Sequence, residues 1–304
     1  MEFDYEVLII GGGPAGLSAA MSLGRLSRTA LVCDDNRPRN APSTHVNNFP
    51  SQDGIHPAEW RKKTRKDLEK YKTIGFFEGA VLSVHKVDQG FVAQLSSGAT
   101  RNFKKVILAY GIQDKLLSAP GFKELWGKSI FHCPFCHGFE VRGASLGLIA
   151  NGELAAHGLP MIYGLSKDLI LFTNGKTNLS EDLQETLRRR NVEVIEEPID
   201  HLIYEGEVLK VVVLIDGQKK ERDALFVAPI FPFQSKSPIG ESLGCEKTEL
   251  GFYKVGERGE TTVKGVFAAG DNMTMMQSVL LACASGVAAA AGVIFSLVSE
   301  DFHG

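Results

Sequence analysis

The sequence predicts an α/β fold made of two Rossmann-like dinucleotide-binding units, the second inserted into the first. Three observations predict it. An apolar run, residues 7–10, leads straight into Gly11-Gly12-Gly13-Pro14-Ala15-Gly16. A second pattern of buried strand and helix begins at residues 145–150. A closing segment, Ala268-Ala269-Gly270-Asp271, returns to the first pattern after the second has ended. Alternating strands and helices of this kind form mainly parallel sheets covered by helices.

The elements follow in order. Residues 7–10 read as a strand, 14–26 as a helix and 29–33 as a second strand that ends at Asp34. Glycines at Gly11, Gly13 and Gly16, with Pro14 and Ala15 between them, let backbone approach a pyrophosphate, and the helix start offers N–H groups to it. An acid about 20 residues past the turn suits a ribose hydroxyl, the place Asp34 takes. Residues 35–57 form a long irregular stretch rich in Asn, Pro and Ser, and loops of that length are often functional. A basic helix at 60–72 leads into strands at 79–87, 91–95 and 105–109, and the Pro120-Gly121 turn marks a boundary. Beyond it come a strand at 145–150, a helix from about Glu153, and strands at 169–172, 192–195, 208–215 and 224–228. The expected division is a first dinucleotide-binding part at 1–118, an inserted unit at 119–237 and a second part at 238–304.

Length and composition bound the rest. A chain of 304 residues argues for about two domains of roughly 150 residues. With 44% hydrophobic and 23% charged residues it can bury its own core. A net charge of −3 and no basic tract speak against nucleic acid. The runs Arg61-Lys62-Lys63 and Arg188-Arg189-Arg190 read as solvated helix faces. The first strand starts so early that no room is left for a signal peptide, and five scattered cysteines are not a secreted disulfide framework, so a cytoplasmic protein is expected. Residues 278–298 carry no charge and could span a bilayer by length. Their small residues and the lack of a basic flank favour instead a buried helix against the sheet, with no membrane partner.

A pair of cysteines, Cys133-Pro134-Phe135-Cys136, lies between the two halves of the dinucleotide pattern. Thiols at this spacing interconvert with a disulfide, and a flavin beside them could take or supply the two electrons.

With these pieces placed, the chain resembles low-molecular-weight thioredoxin reductases over essentially its whole length. It is similar, more closely, to the flavin-dependent dithiol oxidases that close disulfides in natural products such as gliotoxin and holomycin. The resemblance is carried by Gly11 to Gly16, Val46-Asn47-Asn48-Phe49-Pro50, Val106-Ile107-Leu108-Ala109-Tyr110-Gly111, the stretch Phe131-His132-Cys133-Pro134-Phe135-Cys136-His137-Gly138-Phe139-Glu140, and Gly265-Val266-Phe267-Ala268-Ala269-Gly270-Asp271. It implies FAD as cofactor, with Gly11, Gly13 and Gly16 at the pyrophosphate, Asp34 at the adenosine ribose and Asn48 beside the isoalloxazine. It further implies Gly270 and Asp271 at the ribityl chain, Gln277 near the flavin at the start of the last helix, Arg39 and His45 as weaker members of the same loop, and a homodimer.

Other readings of the cysteines stand beside this one. Cys133 to His137 also fits covalent haem attachment, which needs an export that nothing here provides. A zinc site needs four ligands, and no second pair exists, so no metal is expected. A glutaredoxin-like module would need a fold of its own that the flanking pattern does not offer. The redox reading has Cys-x-x-Cys thiols of lowered pKa. Following the resemblance, Cys136 would sit nearer the flavin and Cys133 would exchange with substrate through a mixed disulfide. His137 stands where ordinary thioredoxin reductases carry an acidic residue. It is a candidate acid–base group against a structural histidine, and His132 is a weaker candidate that could equally cap or pack.

The electron source is left open. A second phosphate turn would be Ala150-Asn151-Gly152-Glu153-Leu154-Ala155, where only the middle glycine survives and Glu153 brings negative charge to a pyrophosphate position. Phe172-Thr173-Asn174-Gly175 carries no arginine for a 2′-phosphate and no acid for a ribose diol, the family's His-Arg-Arg segment is absent, and NADPH is doubtful. Three functions remain: a dithiol oxidase passing electrons through FAD to oxygen; a disulfide reductase driven by NADPH or ferredoxin on a thioredoxin-like protein; and a flavin redox sensor without turnover. The substrate partner is therefore a small dithiol or a thioredoxin-like protein.

Overall fold

The computed structural model describes residues 2–303. By packing the chain divides into two compact units: Met1–Ala41, His56–Asp114 and Phe231–Gly304 in the first, Pro42–Ile55 and Lys115–Ile230 in the second.

In the first unit the strand Val7–Ile10 is buried along its whole length, as a central strand covered on both faces must be. It pairs in parallel with Ala30–Asp34 on one side and Lys105–Leu108 on the other. Ile74–Glu78 and Val266–Ala268 complete a five-stranded parallel sheet at its two edges. Val81–Val87, Gly90–Leu95 and Thr100–Phe103 form a separate antiparallel sheet. The strands at 74–78 and 100–103 have no counterpart in the sequence reading. Both are half-exposed edges, so neither shows a clean apolar alternation. The basic helix runs from Pro57 to Leu68, earlier than expected, because His56 caps it by accepting the Ala58 N–H.

The helix Pro14–Arg25 begins at a proline, whose missing N–H costs nothing in a first turn. Glycine at 16 is required by space: a Cβ there would lie 1.9 Å from the Gly11 carbonyl oxygen. The last helix, Val279–His303, crosses this one just as tightly, since a Cβ on Gly286 would fall 2.0 Å from the Ala15 carbonyl oxygen. It is long and apolar enough to cross a membrane by length and composition, yet only 33% of its most apolar stretch is buried. The expectation of a buried helix is corrected to a helix buried on one face. Ala282, Gly286, Ala289, Ala290, Val293 and Leu297 turn inward at helical spacing, while Val287, Phe295 and Val298 stay exposed. Gly286→Val is expected to lower stability by about 1–3 kcal/mol, the usual cost of overpacking a close contact. Denaturant titration checks this, and an unchanged midpoint would mean the two helices separate freely.

The second unit repeats the plan. Leu146–Ile149 is buried throughout and pairs in parallel with Leu169–Phe172 and Ala224–Val227. Glu193–Ile195 and Ile130–Phe131 take the edges of this five-stranded sheet. An antiparallel sheet of Ile199–Glu205, Val208–Leu214 and Lys219–Glu221 packs its apolar side with Phe122, Leu125 and Ile130. The edge strand at 130–131 feeds directly into the cysteine turn, so the sheet register fixes where that turn begins.

Candidate active site

The nucleotide end of the first unit is built by glycine. Gly11 has φ +110°, and a Cβ there would meet the Ala109 carbonyl oxygen at 2.5 Å. Gly13 is the N-cap of the first helix; a Cβ there would meet no atom within 4 Å, and no side chain caps the helix. Pro14, Ala15 and Gly16 continue from it. Open space above uncapped N–H groups at the start of a twelve-residue helix is what a pyrophosphate needs, so these residues fit FAD.

Asp34 lies beside the turn, close enough that a Cβ on Gly12 would touch its carboxylate at 2.6 Å. It is buried, and its Oδ2 accepts hydrogen bonds from Arg61 at 2.8 Å and Arg65 at 3.3 Å. The reading of the Arg61 run as a solvated face is corrected at that one residue. Lys62 and Lys63 are exposed, but Arg61 turns inward because a buried carboxylate requires a cation.

Three residues expected from the sequence meet in one cluster. Arg39 donates to Asp271 at 2.9 Å and to Gln277 at 2.6 Å, and its Nε donates to Asp114 at 2.8 Å. Burial works against the guanidinium charge, yet the hydrogen bonds and charges of Asp114 and Asp271 hold its pKa above the ordinary arginine value. Gly270 precedes the cluster with φ +85°, its N–H donated to the Ser285 hydroxyl. Asp114 has no counterpart in the sequence reading; an isolated Asp in an irregular segment carries no spacing signal.

In the second unit the sulfurs of Cys133 and Cys136 stand 2.6 Å apart. Cys133 is the N-cap of the single turn Pro134–His137, and both cysteines are half-buried, with Phe135 and Phe139 exposed beside them. His137 stacks on Phe131 with ring centroids 4.4 Å apart and planes 14° from parallel. Burial pulls its pKa below the usual imidazole value and the His45 charge adds to this, against an opposing pull from Glu140. His132 is exposed and stacks on Trp126 at 5.8 Å.

The loop at 42–55 packs in this second unit. Asn47 donates its side-chain amide to the Cys136 carbonyl at 2.9 Å, and the Ser43 hydroxyl lies 3.3 Å from His137 Nε2. Asn48 itself is exposed with φ +58°, its N–H bound to Asp53 at 2.6 Å, and His45 is exposed with Thr44 at 2.8 Å from its Nδ1. Sequence reasoning misses Ser43 and gives Asn47 no role, although Asn47 lies inside the Val46 to Pro50 segment that carries the resemblance. The other cysteines are thiols held neutral: burial pushes Cys33 up to about 12 and raises Cys245 and Cys283 as well. Among the described residues, no group of three or more His, Cys, Asp or Glu could hold a metal ion.

At the second glycine turn the Asn151 side chain is engaged by the chain itself. Asn151 Oδ1 accepts the N–H groups of Gly152 at 2.9 Å and Asn178 at 2.8 Å, and its amide donates to the Lys176 carbonyl at 2.9 Å.

Two Rossmann-like units, a glycine turn open to a pyrophosphate and a juxtaposed cysteine pair define a flavoprotein disulfide oxidoreductase. The model of the pyridine nucleotide-disulphide oxidoreductase family matches residues 5–286, and the chain belongs to that family. It is 36% identical to thioredoxin reductase tcpT of Claviceps purpurea, over 92% of this chain and 90% of that protein. It is 35% identical to thioredoxin reductase sirT of Leptosphaeria maculans, over 98% and 95%. Among solved structures, HlmI superposes with a TM-score of 0.90 at 33% identity, covering 98% of this chain and 94% of that one. An oxidoreductase from Agrobacterium tumefaciens gives 0.89 at 34%, covering 98% and 99%. The chain is thus a thioredoxin reductase-like, FAD-binding oxidoreductase, as the resemblance implied.

Proposed function

We propose that this protein is a dithiol oxidase whose substrate is a small dithiol. One observation carries the reading: the Asn151 side chain, at the N-cap of the helix behind the second turn, already accepts the Gly152 N–H, the first N–H that a pyrophosphate there would take. A substrate thiolate attacks Cys133 Sγ in the Cys133–Cys136 disulfide, forming a mixed disulfide and releasing the Cys136 thiolate. The second substrate thiol then attacks the substrate sulfur of that mixed disulfide, so the substrate leaves as a disulfide and both cysteines are left reduced. His137 takes up the thiol proton, a task suited to an imidazole whose burial favours its neutral form. The FAD site of the first unit would supply the two-electron chemistry that reoxidises the pair, with dioxygen as final acceptor and hydrogen peroxide as product.

Gly11, Gly13, Pro14, Ala15 and Gly16 would hold the pyrophosphate, Asp34 the adenosine ribose, and Gly270, Asp271 and Gln277 the ribityl side, with Arg39 fixing the last two. Asn48 and His45 would approach the isoalloxazine from the loop, and His132 would play an accessory part. The proposal keeps an FAD domain in two stretches, 1–118 and 238–304, around an insertion at 119–237. A cytoplasmic homodimer belongs to the same reading; the exposed apolar face with Val287, Phe295 and Val298 supports self-association, and light scattering tests it.

The names of the fungal relatives, thioredoxin reductases, favour a second reading, the reduction of a thioredoxin-like protein, with NADPH or ferredoxin as its electron source. Anaerobic mixing separates the two. Bleaching of the flavin band by dithiothreitol but not by NADPH or reduced ferredoxin, reversed by air with peroxide formed, is the expected result. Rapid bleaching by either reductant without dithiol would overturn it in favour of the reductase.

A further inference from the structure

The geometry points to Ser43 as a positioning residue that fixes His137 as the Nε2–H tautomer, leaving the lone pair of the neutral ring on Nδ1. This role rests on the acid–base function proposed for His137 and deepens it. A hydroxyl has a single hydrogen to give. Ser43 Oγ lies 2.8 Å from the His45 carbonyl oxygen, which can only accept, so the Ser43 hydrogen is committed there. At 3.3 Å from His137 Nε2 the same oxygen has only lone pairs to offer. The imidazole must therefore donate, and its proton sits on Nε2. In the neutral ring this leaves the lone pair on Nδ1.

Nδ1 is buried and has no hydrogen-bond partner among the described residues. A buried acceptor left bare costs free energy, and sites that keep one commonly use it. The ring cannot easily turn to exchange its two nitrogens. Phe131 stacks on its face at 4.4 Å, and the Phe131 backbone is held in the sheet opposite Phe226. The His137 backbone N–H is donated to the Cys133 carbonyl at 3.3 Å, which fixes the main chain of this residue in the cysteine turn. Ser43 is itself buried, and a Cβ on Gly127 would meet its N atom at 3.2 Å, so it has little freedom to move away. The charged or titratable groups acting on His137 are His45 from the loop and Glu140 beyond the turn, with Cys133 and Cys136 within the turn.

The test compares Ser43→Ala, Ser43→Thr and His137→Gln with the wild-type holoenzyme. In protein labelled with 15N in the imidazole rings, long-range 1H–15N spectra at pH 7.5 are expected to show His137 protonated on Nε2 and bare on Nδ1. A proton on Nδ1 would overturn the proposal whatever the kinetics. In anaerobic stopped flow with dithiothreitol, S43A is expected to lose about fivefold in the rate of flavin bleaching, the worth of one neutral hydrogen bond. Its acid limb is expected to move to lower pH, because the imidazolium loses an acceptor for its Nε2–H. S43T keeps the hydroxyl and is expected to restore both. If H137Q is slowed but S43A matches wild type in rate and pH profile, the positioning role fails while the acid–base role survives. If H137Q is unchanged as well, the acid–base reading itself has failed.

Discussion

Cys136→Ser is expected to stop dithiol-driven bleaching of the flavin, a loss of about 10⁴-fold or more, the scale on which removing a reacting nucleophile acts. The wild-type sulfurs stand 2.6 Å apart, and serine cannot form the bond between them. Without that bond the resting enzyme offers the substrate thiolate no disulfide to attack. The fold is expected to persist, since both positions are half-buried at a single-turn helix; the loss should be at most that of a very short disulfide loop, about 2 kcal/mol. Supplying the disulfide of a monothiol, such as glutathione disulfide, makes the division of labour visible. Cys133 in the variant attacks that disulfide and is trapped as a stable adduct, because neither Cys136 nor a second thiol on the substrate remains to resolve it. Mass spectrometry of the intact protein reads the adduct, and its appearance in Cys133→Ser instead would reverse the two roles. Residual bleaching of the C136S protein at the wild-type rate would remove the cysteine pair from the reaction altogether.

Much of this is legible in the sequence, for reasons that differ from residue to residue. Val7 to Ile10 and Leu146 to Ile149 are apolar without alternation because both faces of a parallel sheet are covered, and that pattern survives in one dimension. Gly11, Gly12 and Gly16 are legible because a Cβ at each would press on neighbouring atoms, while Gly13 borders open space. The edge strands Ile74–Glu78 and Thr100–Phe103 are half solvated and carry no such mark. Arg61 sits in a run of cations, and nothing local tells that it faces Asp34 while Lys62 faces water. Asp114 and Ser43 are legible only in space, since their partners are 75 and 94 positions away. The last helix misleads for a physical reason: small residues signal a close approach on one face, as Gly286 shows against Ala15, and say nothing of the opposite face.

Arg39→Met is expected to cost about 3–5 kcal/mol, as breaking a buried ion pair from one side does. The side chain is only 14% exposed, and its carboxylate partners Asp114 and Asp271 are 16% and 22% exposed, so water can compensate only in part for the lost cation. The expected consequence reaches beyond stability. Arg39 holds Asp271 and Gln277 through the same nitrogen, and both belong to the proposed ribityl side. The variant should therefore purify with less flavin as well as unfold at lower denaturant. Arg39→Lys is not a conservative rescue, because one ammonium cannot reach Asp114 through Nε and Asp271 with Gln277 through a second nitrogen in the fixed plane of a guanidinium. A second change separates the two effects. Adding Asp114→Asn to R39M removes one stranded charge and should recover part of the stability, while Asp271 stays unheld and flavin retention stays low. Recovery of both together would mean that the cluster acts on the cofactor only through the fold. Recovery of neither would place the cost of R39M at Asp271.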